Sequence, residues 1–227
     1  RPPFRVSHIL LDVDGTLINF QAALEQALLA TAELASEVTG TLVTPMQLGS
    51  ARELVYAEPT WRERTLREVR DESFRRVLAA AGETALPLVE RVSAVYYETR
   101  DREMLPYEET DEVLAALRDR GFTLIAGTNG NATLSQYQFR HHLMLVHQAE
   151  RAGFSKPDPR FYRGALERAG ASVDSTISVG DRVANDIDGP RAIGMAGIFL
   201  DRENVAPDID VPRITTLREL PDLVELG

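Results

Sequence analysis

The chain has 227 residues, of which 44% are hydrophobic and 26% charged, with a formal net charge of −10 at pH 7 and no cysteine. This length allows one full domain with a substantial insertion, or two modest domains. The lack of cysteine excludes disulfides, thiolate metal sites and thiol nucleophiles. The negative charge argues against a nucleic acid or an anionic membrane as the main partner.

We expect the protein to be cytoplasmic. No apolar run approaches the roughly 20 residues that a membrane-spanning helix needs. The N-terminal residues lead directly into a strand-like segment and have no signal-peptide core.

The first predicted element is a buried parallel strand over residues 6–14. Its near-continuous apolar run ends abruptly at two carboxylates, Asp12 and Asp14, and Gly15 then supplies a turn. A buried strand with this ending is expected to open onto a polar site at its carboxyl end.

A helical segment follows, from about Phe20 to Arg102. Apolar residues recur at helical spacing along three successive stretches, which glycines and prolines separate. No strand pattern occurs here, so the sequence predicts an all-helical insertion between the first strand and the rest of the chain.

Strands and helices alternate after Pro106, which predicts a parallel sheet with helices on both faces. Thr110 is expected to cap one helix, and Asp158 with Pro159 to begin another that Gly170 ends. The remaining elements are a strand over 122–127 that ends at Thr128, a helix over 133–142, and strands over 143–147, 176–179 and 197–200.

Polar side chains follow several predicted strands at their carboxyl ends: Asp12, Asp14, Thr128 and Asp181. Ligands of open α/β sheets bind at this edge, so these groups are expected to converge. The three aspartates concentrate more negative charge than a protein tolerates without a partner. A hard divalent cation such as Mg²⁺ would balance that charge.

Lys156 is the only lysine among 25 lysine and arginine residues, the other 24 (25 − 1) being arginine. Because a compact point charge and a planar fork are not interchangeable, this single lysine indicates a site that requires it. With Mg²⁺ and the Thr128 hydroxyl, it would suit the oxygens of a phosphoryl group in transfer. One carboxylate must then be the nucleophile, since cysteine is absent and no Ser–His arrangement suggests itself. A carboxylate two residues away can act as acid and base.

Four segments together resemble the motifs of the haloacid dehalogenase (HAD) superfamily. They occur in the order and at the separations typical of that family, and they span essentially the whole chain: Asp12-Val13-Asp14-Gly15-Thr16-Leu17, Thr128-Asn129-Gly130, Ser155-Lys156-Pro157-Asp158 and Gly180-Asp181-Arg182-Val183-Ala184-Asn185-Asp186. The resemblance implies an α/β fold, with a Rossmann-like parallel sheet of strand order 5-4-1-2-3 formed by residues 1–18 and 104–227. It also implies an inserted all-helical cap, residues 19–103, similar to that of the family's subfamily I.

The same resemblance implies roles for the aspartates. Asp12 would be the nucleophile and a Mg²⁺ ligand, and Asp14 the acid and base, binding the metal through its backbone carbonyl. Asp181 would be a further Mg²⁺ ligand, and Asp186 would support the metal shell or Lys156.

Substrate binding would fall to Thr128 and Lys156, which hold the phosphoryl oxygens, with Asn129 in the same group. The implied reaction is hydrolysis of a small-molecule phosphate monoester, such as a sugar phosphate, phosphoglycolate or a nucleotide, through an aspartyl-phosphate. We expect a monomer or a homodimer.

Three other functions stay open. A phosphosugar mutase would share all four motifs. A haloacid dehalogenase would use the same nucleophile, but its halide leaving group needs no proton, so Asp14 favours phosphate esters. A non-catalytic phosphate-binding protein would usually lack a nucleophile or a metal ligand, and here all are present.

Residues that set specificity are harder to identify from the sequence. Candidates in the helical segment are Arg52, Tyr56, Trp61 and Arg62. We interpret the two aromatic residues as helix-packing residues and the two arginines as surface charges. The histidines of the second half, His141, His142 and His147, are interpreted as helix-end or packing residues.

Overall fold

The computed structural model describes residues 4–61, 64–130, 133–204 and 210–227. The chain divides into two compact units. The core unit comprises Arg1–Asn19 and Pro106–Gly227, and the helical unit comprises Phe20–Leu105. The boundaries expected from the sequence differ from these by one or two residues.

Among its described residues, the helical unit has four α-helices and one short 3-10 turn: α1 (Phe20–Thr39), α2 (Pro45–Ala57), the turn Pro59–Trp61, α3 (Leu66–Ala80) and α4 (Leu86–Glu103). The predicted absence of strands holds for residues 20–61 and 64–105. Both α2 and α3 begin with a capping box, in which Thr44 pairs with Gln47 and Thr65 with Glu68. Each box satisfies two backbone N–H groups that a helix start leaves without partners.

Apolar side chains fill the interior of the helical unit. Phe74 and Tyr96 meet edge to face, with ring centroids 5.2 Å apart. Leu48, Leu78 and Val92 are fully buried around them. Since such burial removes apolar surface from water, this cluster is the main source of stability in the unit.

The core unit contains eight strands and five α-helices among its described residues. In chain order they are β1 (Phe4–Val6), β2 (His8–Leu11), α5 (Thr110–Asp119), β3 (Thr123–Thr128), β4 (Leu143–Gln148), α6 (Ala149–Ala152), α7 (Pro159–Ala169), β5 (Thr176–Gly180), α8 (Gly189–Arg191), β6 (Ala196–Leu200), β7 (Arg213–Ile214), α9 (Leu220–Leu223) and β8 (Val224–Leu226). Shorter helical turns are Leu134–Gln136, Gln138–His142 and Leu217–Glu219, of 3-10 type, and Val183–Asp188, of π type. Within the described ranges, no helix is both long and apolar enough to cross a membrane.

Six of these strands form one parallel sheet in the order β4-β3-β2-β5-β6-β7. Numbered along the chain, the five predicted strands therefore lie in the expected order 5-4-1-2-3, and β7 extends one edge as a sixth strand. This arrangement confirms the α/β parallel-sheet class. Because β2 lies between β3 and β5, the residues that follow these three strands are neighbours in space.

The predicted strand over 6–14 is wrong at both ends. Val6 belongs to β1, which pairs with β8 in a separate two-stranded sheet. At Ser7 the chain passes to the main sheet, and the N–H groups of Ser7 and His8 both donate to the Ser175 carbonyl at 3.0 Å. The strand then ends at Leu11, before the two carboxylates.

Two helix predictions also need correction. Residues 133–142 form two 3-10 turns rather than one helix, because Tyr137 has an extended backbone between them (φ −96°, ψ 140°). Thr110 is the first residue of α5 rather than its cap. Its hydroxyl donates instead to the Leu17 carbonyl at 2.8 Å.

The helix that follows Lys156 begins and ends as predicted. Asp158 precedes α7, and its side chain accepts from the Arg160 N–H. Pro159 is the first helical residue, and Gly170 ends the helix with a left-handed backbone (φ 64°).

Candidate active site

The site lies at the carboxyl ends of three neighbouring strands. Asp12 follows β2, Thr128 is the last residue of β3, and Asp181 follows β5. The backbone N–H of Asp12 donates to the Val179 carbonyl of β5 at 2.8 Å, which extends the ladder up to the carboxylate. The predicted convergence of these strand ends is therefore present.

Lys156 is a buried cation between two carboxylates. Its Nζ donates to Asp12 Oδ1 at 2.6 Å and to Asp186 Oδ1 at 2.8 Å, and the residue is 5% exposed. Burial opposes the charge on this amine, but the charges of Asp12 and Asp186 outweigh it and raise the pKa of Lys156. The amine therefore stays protonated beside the Asp12 carboxylate.

Asn129 determines where Lys156 lies. Its Nδ2 donates to the Lys156 carbonyl at 2.9 Å, and its Oδ1 accepts from the Lys156 N–H at 2.7 Å. One side chain thus fixes both backbone groups of the lysine. The Asn129 amide therefore holds the backbone of Lys156. A direct role of Asn129 in binding substrate stays a prediction.

Asp186 lies in the π-helical turn and is 1% exposed. Its Oδ2 accepts from the Arg182 N–H at 3.0 Å, which leaves Oδ1 to receive the Lys156 amine. Burial, with the nearby Asp12 charge, raises the pKa of Asp186, and Lys156 partly opposes the increase.

Asp14 is oriented by a separate hydrogen-bond chain. The Thr128 hydroxyl donates to Asp14 Oδ2 at 3.0 Å and accepts from the Gly130 N–H at 2.7 Å. Burial raises the pKa of Asp14, and the charge of Asp12 raises it further. Thr128 therefore fixes the orientation of the carboxyl group that is expected to carry a proton.

Three carboxylates could share a cation. Oxygens of Asp12, Asp181 and Asp186 all lie within 4.8 Å of one another and form the acidic group around Asp12. Asp181 Oδ1 is buried without a hydrogen-bond partner among the described residues. Burial, followed by the charges of Asp12 and Asp186, raises the pKa of Asp181 to about 7. Since Mg²⁺ prefers oxygen ligands and would balance this charge, the residues present fit that ion. The contact predicted through the Asp14 carbonyl stays a prediction.

Glycine is required at position 15, where the loop that follows β2 passes the Asp181 carboxylate. The φ of Gly15 is +92°, a conformation that favours glycine, and a Cβ here would collide with the Asp181 carboxylate. The glycine of the first motif therefore leaves space for a carboxylate that lies 166 positions later (181 − 15).

Sequence reasoning missed Arg202, which follows β6. Its guanidinium donates to the carbonyls of Gly15 at 3.1 Å and Thr16 at 2.8 Å, and to Glu109 at 2.8 Å. It also lies 3.5 Å from the centre of the Tyr107 ring. This arginine holds the loop that follows Asp14. Its position just after a strand was the available signal, but nothing distinguished it from the other arginines.

The predicted specificity candidates belong to the helical unit, and their contacts are with near neighbours in sequence. Arg52 forms an ion pair with Glu53 and lies 5.6 Å from the Tyr56 ring. Tyr56 is 44% exposed, so the packing role predicted for it is wrong. Trp61 is half-buried in the short turn, and Arg62 lies outside the described residues.

Comparison with known proteins gives concordant results. The family model of the haloacid dehalogenase-like hydrolases matches residues 6–194. A phosphoserine phosphatase of Thermus thermophilus is 32% identical over 162 residues, covering 66% of this chain and 63% of that protein. A glyceraldehyde 3-phosphate phosphatase of Methanopyrus kandleri is 28% identical and covers 96% of this chain and 97% of its own length.

A similar solved structure is that of a 2-haloacid dehalogenase from Pseudomonas syringae pv. tomato DC3000. It superposes with a TM-score of 0.77 at 26% identity, covering 96% of this chain and 97% of that one. The family match spans most of the chain and includes all four motifs. This chain therefore belongs to the haloacid dehalogenase-like hydrolases.

Proposed function

We propose that the chain is a Mg²⁺-dependent phosphatase that hydrolyses a small-molecule phosphate monoester through an aspartyl-phosphate on Asp12. One observation carries the proposal. The Asp12 carboxylate lies beside the buried Lys156 amine and close to the carboxylates of Asp181 and Asp186. Asp14 has a different partner, the Thr128 hydroxyl. Nucleophile, cation and proton carrier are thus distinct groups at one edge of the sheet.

The first step would form a bond between a carboxylate oxygen of Asp12 and phosphorus, while the bond from phosphorus to the ester oxygen breaks. The departing oxygen takes the proton of Asp14. The third N–H of the Lys156 amine would donate to the phosphoryl oxygens, and the Thr128 hydroxyl would do so by turning its proton from Asp14 to the substrate.

The second step would release phosphate. A water molecule attacks phosphorus, and Asp14, now a carboxylate, accepts the proton of that water. The bond from Asp12 to phosphorus breaks, which restores the Asp12 carboxylate. Asp14 is protonated again, so the site is ready for another substrate.

Asp12 and Asp181, with the backbone carbonyl of Asp14, would hold the Mg²⁺, and Asp186 would support the metal shell or Lys156. When bound, the ion supplies charge neutralisation, which lets an anionic phosphate approach an anionic nucleophile. The buried Asp181 oxygen without a partner supports this assignment.

Asp14 favours phosphatase over dehalogenase chemistry, although the structure of a dehalogenase is similar to this one. A halide leaves as a stable anion and needs no proton, whereas an alkoxide does. A second carboxylate that Thr128 orients has a clear use only in ester cleavage.

The substrates named for the two phosphatase relatives are phosphoserine and glyceraldehyde 3-phosphate. Both are phosphate esters of three-carbon compounds. We therefore place small esters of this kind first in a panel that also includes phosphoglycolate, sugar phosphates and nucleoside monophosphates. A monomer or homodimer in the cytoplasm stays our expectation.

The test is phosphate release from this panel with Mg²⁺ and with a chelator. We expect metal-dependent release that is lost in Asp12→Asn. Isomerised rather than dephosphorylated sugar phosphate would identify a mutase, and halide release from 2-haloacids a dehalogenase. No product from any of these substrates would favour the phosphate-binding protein and overturn the proposal.

A further inference from the structure

A second group of potential metal ligands lies in the core unit. Asp111 is in the first turn of α5, and His141 and His142 end the 3-10 turn before β4. Each offers one ligand atom, and these atoms all lie within 4.8 Å of one another. None of the three belongs to the acidic group around Asp12.

His142 carries the strongest indication. Its side chain is 3% exposed, and neither ring nitrogen has a hydrogen-bond partner within the described part of the chain. Its Nε2 lies 3.2 Å from Asp111 Oδ1, and that oxygen is also buried. Buried polar atoms are nearly always paired, so a buried imidazole and carboxylate oxygen placed face to face beside a second histidine require an explanation.

A metal ion would use these atoms as ligands, and a neutral imidazole is the form that binds metals. Ligand atoms about 2.0–2.1 Å from a tetrahedral zinc ion lie about 3.3 Å apart, close to the separation of Asp111 and His142.

His141 is oriented as metal-binding histidines usually are. Its Nδ1 contacts the Gln138 carbonyl oxygen, which accepts the ring proton and leaves Nε2 with a free lone pair. His141 is exposed and Asp111 partly so, whereas His142 is buried. His141 thus opens the cluster to solvent, from which a water molecule could complete the coordination of an ion.

We propose that Asp111, His141 and His142 form a binding site for a zinc-class divalent ion, with water as the fourth ligand. Two imidazoles favour Zn²⁺, Co²⁺ or Ni²⁺ over Mg²⁺, which prefers oxygen ligands. The ion would join the first turn of α5 to the segment that leads into β4. Its role is structural stabilisation of the core unit.

The experiment uses tag-free protein stripped of metal, with saturating Mg²⁺ to occupy the acidic group around Asp12. Co²⁺ is added while visible absorption is recorded, and Zn²⁺ binding is measured by calorimetry. We expect one equivalent of either ion, with absorption bands typical of a tetrahedral nitrogen–oxygen site. Zn²⁺ should also raise the thermal midpoint, because it binds only the folded chain.

Two variants at ligands outside the buried interior are His141→Gln, at an exposed residue, and Asp111→Asn, at a partly exposed one. Each should weaken Zn²⁺ binding at least about 10- to 100-fold and abolish the Zn²⁺-dependent rise in thermal midpoint. His8→Gln is the matched control, since this half-buried histidine contacts Ser7 rather than the cluster and should leave binding unchanged. Absence of binding in the unmodified chain, or unchanged binding in both ligand variants, would overturn the proposal.

Discussion

The two units bury carboxylates to very different extents. Among the described residues, the buried carboxylates Glu109, Asp186 and Asp201 all belong to the core unit. The described carboxylates of the helical unit are at least partly exposed, and its interior is mainly apolar side chains such as Phe74, with Arg70 as a buried cation. The contrast teaches that apolar packing stabilises the helical unit, whereas the core unit depends on neutralising charge in its interior.

Burying carboxylates in the core unit costs free energy, and it also prepares these groups for catalysis. Desolvating a carboxylate is unfavourable unless a cation or several donors compensate. In the core unit, Lys156 and Arg202 supply that compensation at the carboxyl ends of the strands. The same low-dielectric surroundings make a carboxylate and a cation effective in catalysis. The predictions below test this contrast, from the largest expected effect to the smallest.

Asp12→Asn should remove the nucleophile and abolish turnover. Because an amide oxygen is a poor nucleophile, we expect phosphate release to fall by on the order of 10⁴- to 10⁶-fold. The measurement is kcat/KM on the best ester of the panel, with the thermal midpoint as a check of folding. Asp174→Asn, at an exposed position, should retain full activity. Activity within tenfold of wild type would rule out Asp12 as the nucleophile.

Phe74→Ala should have the largest effect on the stability of the helical unit. The ring is fully buried against Tyr96, so its loss leaves a cavity and should cost about 3–5 kcal/mol of unfolding free energy. Denaturant unfolding measures this change. Leu54→Ala, at a side chain that is 69% exposed, should change stability by less than about 0.5 kcal/mol. Equal effects of the two variants would refute the apolar account of this unit.

Lys156→Arg keeps the charge but changes its shape. A planar guanidinium cannot place one compact donor between Asp12 and Asp186, so kcat should fall by about 10²- to 10³-fold. Arg160→Lys is the reverse exchange at an exposed ion pair and should leave kcat unchanged. A fully active Lys156→Arg enzyme would show that charge alone is sufficient.

Glu109→Gln should destabilise the core unit in a pH-dependent way. Burial raises the pKa of Glu109, but the hydrogen bond and charge of Arg202 lower it more, so the net shift is downward. A lowered pKa contributes stability above the unfolded value of about 4.3, and this contribution is lost as the pH falls. We expect a loss of about 1.5–3 kcal/mol at neutral pH.

Thermal midpoints across pH test this expectation. The difference between wild type and Glu109→Gln should shrink as the pH falls below about 4, because the unfolded carboxyl group takes up a proton there before the native one does. Glu225→Gln is the control, because its 3.7 Å ion pair with Arg5 is exposed on both sides. If the difference in thermal midpoint stayed constant with pH, the Glu109–Arg202 pair would contribute through its shape rather than its charge.

Arg75→Ala tests the weakest interactions. Arg75 pairs with Glu72 on the surface of α3, at 2.6 Å, and its side chain is 53% exposed. Such pairs contribute about 0–1 kcal/mol, so unfolding should change little and the difference should fall further in high salt. A loss above about 2 kcal/mol, measured by denaturant unfolding, would contradict the view that this unit depends on apolar packing.

Much of the candidate site could be predicted because its residues follow strands. A buried apolar run that ends in Asp12, and others that end in Thr128 and Asp181, are local signals, and parallel strands place their carboxyl ends together. The unusual composition helped in the same way, since one lysine among many arginines marked Lys156. The helical unit was equally accessible, because its apolar spacing extends over about 80 residues.

Other features depended on partners far away in sequence. The first strand was predicted as one element, but β8 at the other end of the chain pairs with its first residues, which no local pattern signals. Tyr137 interrupts a helical pattern through its backbone conformation. The Asp111–His141–His142 group likewise joins a helix start to a turn about 30 residues later, so composition could not bring its members together.

The sequence by itself therefore determined the α/β class, the helical insertion and the strand-end aspartates with their lysine, because hydrophobic periodicity and residue order are local properties. Only the tertiary structure decided which groups meet. It assigned Asn129 to the backbone of Lys156, and Arg202 to the loop after Asp14. The physical reason is that the energy of a buried charge depends on partners that only folding brings within hydrogen-bonding distance.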